Sequence, residues 1–211
     1  MGNVRGATRI GLLGGSFNPA HGGHMHISLM ALRMLGLDEV WWLVSPQNPL
    51  KSLDNMQSLD KRLEMAAEIA HPEPRITVTD LEADLGTQFT SDTLVELKRR
   101  FPNVAFVWLM GADNLLQMHH WHQWSRIFNT VPIAVFGRPG YSYRATSSVV
   151  ARRFARDRWP RSAANRLVDA AVPAWVFLKI REHPESATRI RKSGDDGHSH
   201  SIIRRTVPLP T

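Results

Sequence analysis

The chain has 211 residues, 43% hydrophobic and 21% charged, with seven tryptophans, so it can bury the core of one medium domain and is not disordered throughout. Cysteine is absent, which excludes a disulfide framework, a thiolate metal site and a cysteine nucleophile. The net charge of +7 is regional: residues 1–137 hold 11 basic and 13 acidic side chains, residues 138–211 hold 15 and 6, and 13 of those 15 bases are arginine.

Arg5 and Arg9 precede only a short apolar run that glycines break, so neither a signal peptide nor a membrane anchor is expected. A soluble cytoplasmic protein is. Residues 8–13 (TRIGLL) read as a first strand ending in Gly-Gly. Residues 24–35 carry apolar side chains at helical spacing, and Gly36 suits the end of that helix. Residues 40–44 (VWWLV) form a second strand, stopped by Ser45-Pro46. A helix follows over residues 58–70, with Leu59, Leu63, Ala66, Ala67 and Ala70 inward and prolines after it. Residues 76–79 are a strand. Ser91 or Asp92 is expected to cap a helix that runs to Arg100. The apolar run 104–110 (VAFVWLM) has the profile of a central parallel strand buried on both faces. Residues 114–129 look helical in one or two pieces, and 131–136 and 175–178 are strands. Strands alternating with helices predict an α/β fold, a Rossmann-like parallel sheet with helices on both faces. Ligands then bind at the carboxyl ends of the strands. From about residue 194 the chain is polar and irregular, so residues 194–211 are expected to form a mobile tail.

The richest segment is residues 14–24, Gly-Gly-Ser-Phe-Asn-Pro-Ala-His-Gly-Gly-His. It follows the first strand and opens the first helix, where N–H groups and the helix dipole favour an anion. Gly14, Gly15, Gly22 and Gly23 allow close backbone approach by a ligand. The segment is neither G-x-G-x-x-G nor a P-loop. His21 and His24, three apart, share one face of a starting helix and suit phosphate oxygens, particularly when protonated. Zinc fits poorly, because no standard metal spacing completes the pair.

The run Gly-Ser-Phe-Asn-Pro-x-His-x-Gly-His resembles the signature of Rossmann-like nucleotidyltransferases. Over residues 15–24 it is most similar to the bacterial-type nicotinate-nucleotide adenylyltransferase family. The resemblance implies a single nucleotidyltransferase domain over residues 1–193. It also implies adenylyl transfer from ATP to nicotinate mononucleotide, giving deamido-NAD and pyrophosphate in NAD biosynthesis. Further segments match in order across residues 8–192. Ser186-Ala187-Thr188-Arg189-Ile190-Arg191 resembles the Ser-x-Thr-x-Ile-Arg motif, and Thr90-Ser91-Asp92-Thr93-Leu94 resembles Thr-x-Asp-Thr-Leu. Gly111-Ala112-Asp113, Trp121 and Arg138-Pro139-Gly140 also match. Lys51 stands where the family has a lysine, although the usual preceding histidine is Leu50 here. Ala187 replaces a more usual serine, and the arginine-rich stretch 141–173 matches no family site residue.

By that resemblance, ATP meets Gly14, Gly15, Ser16, Phe17, His21 and His24. Asp113, beside Gly111, meets ribose hydroxyls, while Arg138, Ser186, Thr188 and Arg191 serve the phosphates. The nicotinate nucleotide meets Asn18, Lys51, Thr90 and Asp92, and its ring stacks on Trp121. His21, His24 and Arg191 are the implied catalytic residues. Mg²⁺ is implied on the substrate phosphates, with no dedicated protein metal site. No membrane and no nucleic acid is expected as partner. Other readings compete. One is adenylyl transfer to another phosphorylated acceptor, such as phosphopantetheine. A second is a non-catalytic nucleic-acid-binding protein that uses the basic C-terminal third. A third is a nucleotide sensor without activity.

Overall fold

The computed structural model describes residues 7–46, 56–137 and 140–180. Lys51, Arg138, Ser186, Thr188, Arg191 and the tail 194–211 lie outside the described residues.

Among the described residues seven strands form one parallel sheet: β1 (Thr8–Gly15), β2 (Glu39–Val44), β3 (Ile76–Thr79), β4 (Val104–Gly111), β5 (Ile133–Phe136), β6 (Arg158–Trp159) and β7 (Trp175–Leu178). Their order is β3-β2-β1-β4-β5-β7-β6, all parallel. The chain winds one way from β1 to β3 and the other way from β4 onward, which puts the topological switch between β1 and β4. The helices are α1 (Gly22–Leu35), α2 (Leu59–Ala70), α3 (Leu81–Asp84), α4 (Thr90–Arg100), α5 (Ala112–Gln117), α6 (Trp124–Phe128), α7 (Ser142–Thr146) and α8 (Val149–Arg153).

Both faces of the sheet are covered. Because strand side chains alternate, Trp41 and Trp42 point to opposite faces. Trp41, Phe106, Trp108 and Ile133 pack with Leu94 and Leu97 of α4 and Phe128 of α6. Trp42, Leu109, Ala134 and Val176 pack with Leu32 and Leu35 of α1 and Leu63 of α2. Gly36 ends α1 in the left-handed region, φ 64°, with its N–H on the Leu32 carbonyl, as anticipated for a glycine in that place. Among the described residues no helix is long and apolar enough to cross a membrane.

Several boundaries differ from the sequence reading. β1 runs on through Gly14 and Gly15, which pair with Leu43 and Val44 of β2. The stretch 112–128 is divided into α5, a 3-10 turn (Met118–His120) and α6. Neither Ser91 nor Asp92 caps α4, which starts at Thr90 after Phe89 and has no side-chain cap bond. The stretch 141–173, unassigned by pattern, wraps the sheet edge. Ala145, Val150 and Phe154 pack on one face, β6 extends the sheet beside β7, and Leu167 and Val168 of a 3-10 helix (Arg161–Asp169) pack on the other.

Candidate active site

The switch point brings the glycine-rich loop beside the Gly111-Ala112-Asp113 segment. Leu13 of β1 is opposite Leu109 of β4, so Gly15 and Gly111 end neighbouring strands. The β2 exit joins them, since the Ser45 N–H donates to the Gly15 carbonyl at 2.9 Å.

His21 is the N-cap of α1. Its Nδ1 accepts the Gly23 N–H at 3.0 Å, while His24 Nδ1 accepts the His21 N–H at 3.2 Å. This is a reciprocal capping box with histidines in place of the usual hydroxyl and carboxylate. Both Nδ1 atoms accept, so each neutral ring carries its hydrogen on Nε2. The first-turn N–H of Gly23 is given to His21 instead of being held for an anion. A proton on either Nδ1 would remove that acceptor and break the cap. The rings are close, 3.9 Å between centroids.

A buried aromatic floor supports them. Phe17, with φ +45°, turns its ring inward to stack on Trp42 at 5.2 Å and to meet His24 at 4.7 Å. With 2% exposure, Phe17 has only its backbone to offer a ligand. Trp42 Nε1–H donates to Ser28 Oγ at 2.8 Å, and that hydroxyl donates to the His24 carbonyl at 2.9 Å. The first helical turn is thereby tied to the centre of the sheet.

Two glycines have packing reasons. A Cβ at Gly14 would lie 2.3 Å from the buried Trp108 ring, and one at Gly111 would lie 2.5 Å from Asp113 Oδ1. The missing side chain at Gly14 makes room for the core. Gly111 lets the Asp113 carboxylate fold back over the end of β4.

Thr90 begins α4 and Asp92 sits in its first turn, paired with Arg126 of α6 at 3.3 Å. Trp121 is half-buried, edge-on to Trp108 at 6.5 Å. Phe89 stacks on His122 at 4.3 Å, joining the start of α4 to the segment that carries Trp121. Asn18 Oδ1 accepts the Gln57 N–H at 3.3 Å.

Beneath these walls lie groups that pattern reading missed. Arg62 of α2 is buried and donates to four carbonyls: Ser16 and Ser45 at 2.7 Å, Pro46 at 3.0 Å and Gln57 at 3.1 Å. Burial lowers its pKa, yet the guanidinium stays charged and the carbonyl dipoles offset its desolvation. Glu82 of α3 is also buried. Desolvation pushes its carboxyl up to about 7, against hydrogen bonds from Ser45 and Thr93 that pull it down. Among the described residues no three His, Asp or Glu side chains converge on a metal position.

Residues 12–193 match the family described as cytidylyltransferase-like. The "Probable nicotinate-nucleotide adenylyltransferase" of Parvibaculum lavamentivorans is 53% identical over 186 residues, covering 88% of this chain and 92% of that protein. The protein of the same name from Bradyrhizobium sp. (strain BTAi1) is 48% identical over 194 residues, covering 92% and 100%. Among solved structures, Plasmodium falciparum nicotinic acid mononucleotide adenylyltransferase complexed with NaAD aligns with a TM-score of 0.64. That alignment covers 88% of this chain and 83% of that one at 18% identity, a likeness of fold.

Proposed function

The chain belongs to the cytidylyltransferase-like family, and from that membership we infer that it transfers the adenylyl group of ATP to nicotinate mononucleotide. Relatives about half identical to it are named probable nicotinate-nucleotide adenylyltransferases, and the products of that transfer are deamido-NAD and pyrophosphate, a step of NAD biosynthesis. The geometric observation that carries this reading is the His21–His24 pair, locked by its own caps at the carboxyl end of β1.

A phosphate oxygen of nicotinate mononucleotide attacks the α-phosphorus of ATP in line. The new P–O bond forms as the bond to the β-phosphate breaks, and pyrophosphate leaves. The attacking phosphate is already anionic near neutral pH, so the protein supplies alignment and charge stabilisation instead of a strong base. His21 and His24 donate Nε2–H to the triphosphate oxygens, and His24 stabilises the charge that develops in the transition state. The backbone of Gly14, Gly15, Ser16 and Phe17 lines the nucleotide, with Asp113 beside Gly111 accepting from ribose hydroxyls. Arg138, Ser186, Thr188 and Arg191 hold the phosphates. Asn18, Lys51, Thr90 and Asp92 hold the nicotinate nucleotide, and Trp121 stacks on its ring. ATP enters as its Mg²⁺ complex, with the ion on phosphate oxygens and water. We place the reaction in the cytoplasm.

A substrate panel with MgATP tests this reading. Nicotinate mononucleotide should yield deamido-NAD and pyrophosphate, and phosphopantetheine should yield nothing. Turnover of phosphopantetheine without turnover of nicotinate mononucleotide would overturn the assignment. A nicotinamide mononucleotide arm measures how far the ring carboxylate is required.

A further inference from the structure

Glu82 sits on α3, immediately beyond the carboxyl end of β3, and is 6% exposed. The Ser45 side chain hydrogen-bonds its carboxyl group, and Thr93 Oγ1 lies 3.5 Å from its Oε1. These partners belong to different walls of the site. Ser45 is fixed to the first loop: its N–H donates to the Gly15 carbonyl, and its carbonyl shares Arg62 Nη1 with the carbonyl of Ser16. Thr93 is fixed within α4, three residues after Thr90. Its hydroxyl also lies 3.1 Å from the Phe89 carbonyl and 2.9 Å from the Thr87 hydroxyl.

A buried carboxyl with two hydroxyl partners is a poor source of stability, since an apolar side chain would avoid the desolvation cost. What it does provide is a directional link between the first loop and α4. We propose that Glu82 is a positioning residue for the acceptor nucleotide, bridging Ser45 and Thr93 so that the first turn of α4 is held in register with the Gly15–Asn18 loop. The inference rests on the functional reading above, in which Thr90, Asp92 and Asn18 hold nicotinate mononucleotide. On that reading none of the residues assigned to ATP lies on α4. Loss of the bridge therefore loosens one substrate and not the other.

Steady-state deamido-NAD formation by the full chain separates the possibilities. Glu82→Leu, similar in bulk but unable to bridge, should raise KM for nicotinate mononucleotide roughly tenfold and leave KM for ATP within about twofold. Glu82→Gln keeps an acceptor for Ser45 and gains a donor for Thr93, so it should restore the wild-type KM. Ser45→Ala, which removes only a hydroxyl, should raise the same KM and carries the test if Glu82→Leu does not fold. An unchanged KM for nicotinate mononucleotide in both Glu82→Leu and Ser45→Ala, or equal rises for both substrates, overturns the proposal. Wild-type chain that makes no deamido-NAD overturns the functional reading itself.

Discussion

His24 serves structure and chemistry through different atoms of one ring. Nδ1 accepts the His21 N–H, and Nε2–H is the donor assigned to phosphate. A substitution can separate the two. His24→Ala loses both, at about 1 kcal/mol for the cap. Its barrier should rise on the order of 3 kcal/mol, a loss of about a hundredfold in kcat. His24→Asn keeps a side-chain acceptor for the His21 N–H and should recover stability without recovering rate. Pyrophosphate release and urea midpoints measured on both variants check this. Turnover near wild type in either variant removes His24 from the transition state.

At the scale of elements, the strongest sequence signals were local ones. The glycine-rich loop with two histidines needed no tertiary information, because residue types and spacing already placed it between a strand and a helix. The glycines themselves misled: without side chains they look like loop, yet the Trp108 ring requires Gly14 in the strand. A hydroxyl or carboxylate cap at Ser91 or Asp92 puts the start of α4 too late, since the helix already includes Thr90. Here Phe89, stacked on His122, takes the cap position with no side-chain bond. Arg62 did leave a trace. It lies three residues after Leu59 and four before Ala66, on the inward face of α2, and a charge there signals a buried polar hub. Glu82 left none, since a four-residue helix has no period to read.

Glu82 does have a thermodynamic signature. Its carboxyl titrates near 7 in the folded chain against an ordinary 4.5. Between those values the folded state holds a proton that the unfolded state has released. The group's contribution to stability is therefore complete below about pH 4.5 and declines until about pH 7. From pH 5 to pH 8 the stability of Glu82→Gln relative to wild type should increase by roughly 2 to 3 kcal/mol. Urea unfolding of both chains at the two pH values measures it. A difference that does not change with pH would show that the buried carboxyl titrates as an exposed one does.

For the whole molecule the question is what the basic C-terminal third does. Much of its charge is carried by the 141–173 wrap, whose inward residues, Phe154 and Leu167 among them, explain its folding without reference to charge. Phe154 stacks on Phe128 at 4.0 Å, and its carbonyl accepts Trp175 Nε1–H at 2.7 Å. Arg152, Arg156 and Arg166 are exposed on this wrap. Exposed charges beyond about 8 Å are largely screened at physiological salt. If they form only a solvated face, replacing all three with glutamine should change stability by no more than about 0.5 kcal/mol per site. The same variant should keep kcat/KM within about twofold at both low and physiological salt. If instead the wrap steers anionic substrates, kcat/KM should fall most at low salt, and the wild type should lose the same advantage as salt is added. Salt-dependent binding of a random oligonucleotide by wild type, absent in the triple variant, would give these arginines a partner that adenylyl transfer does not require.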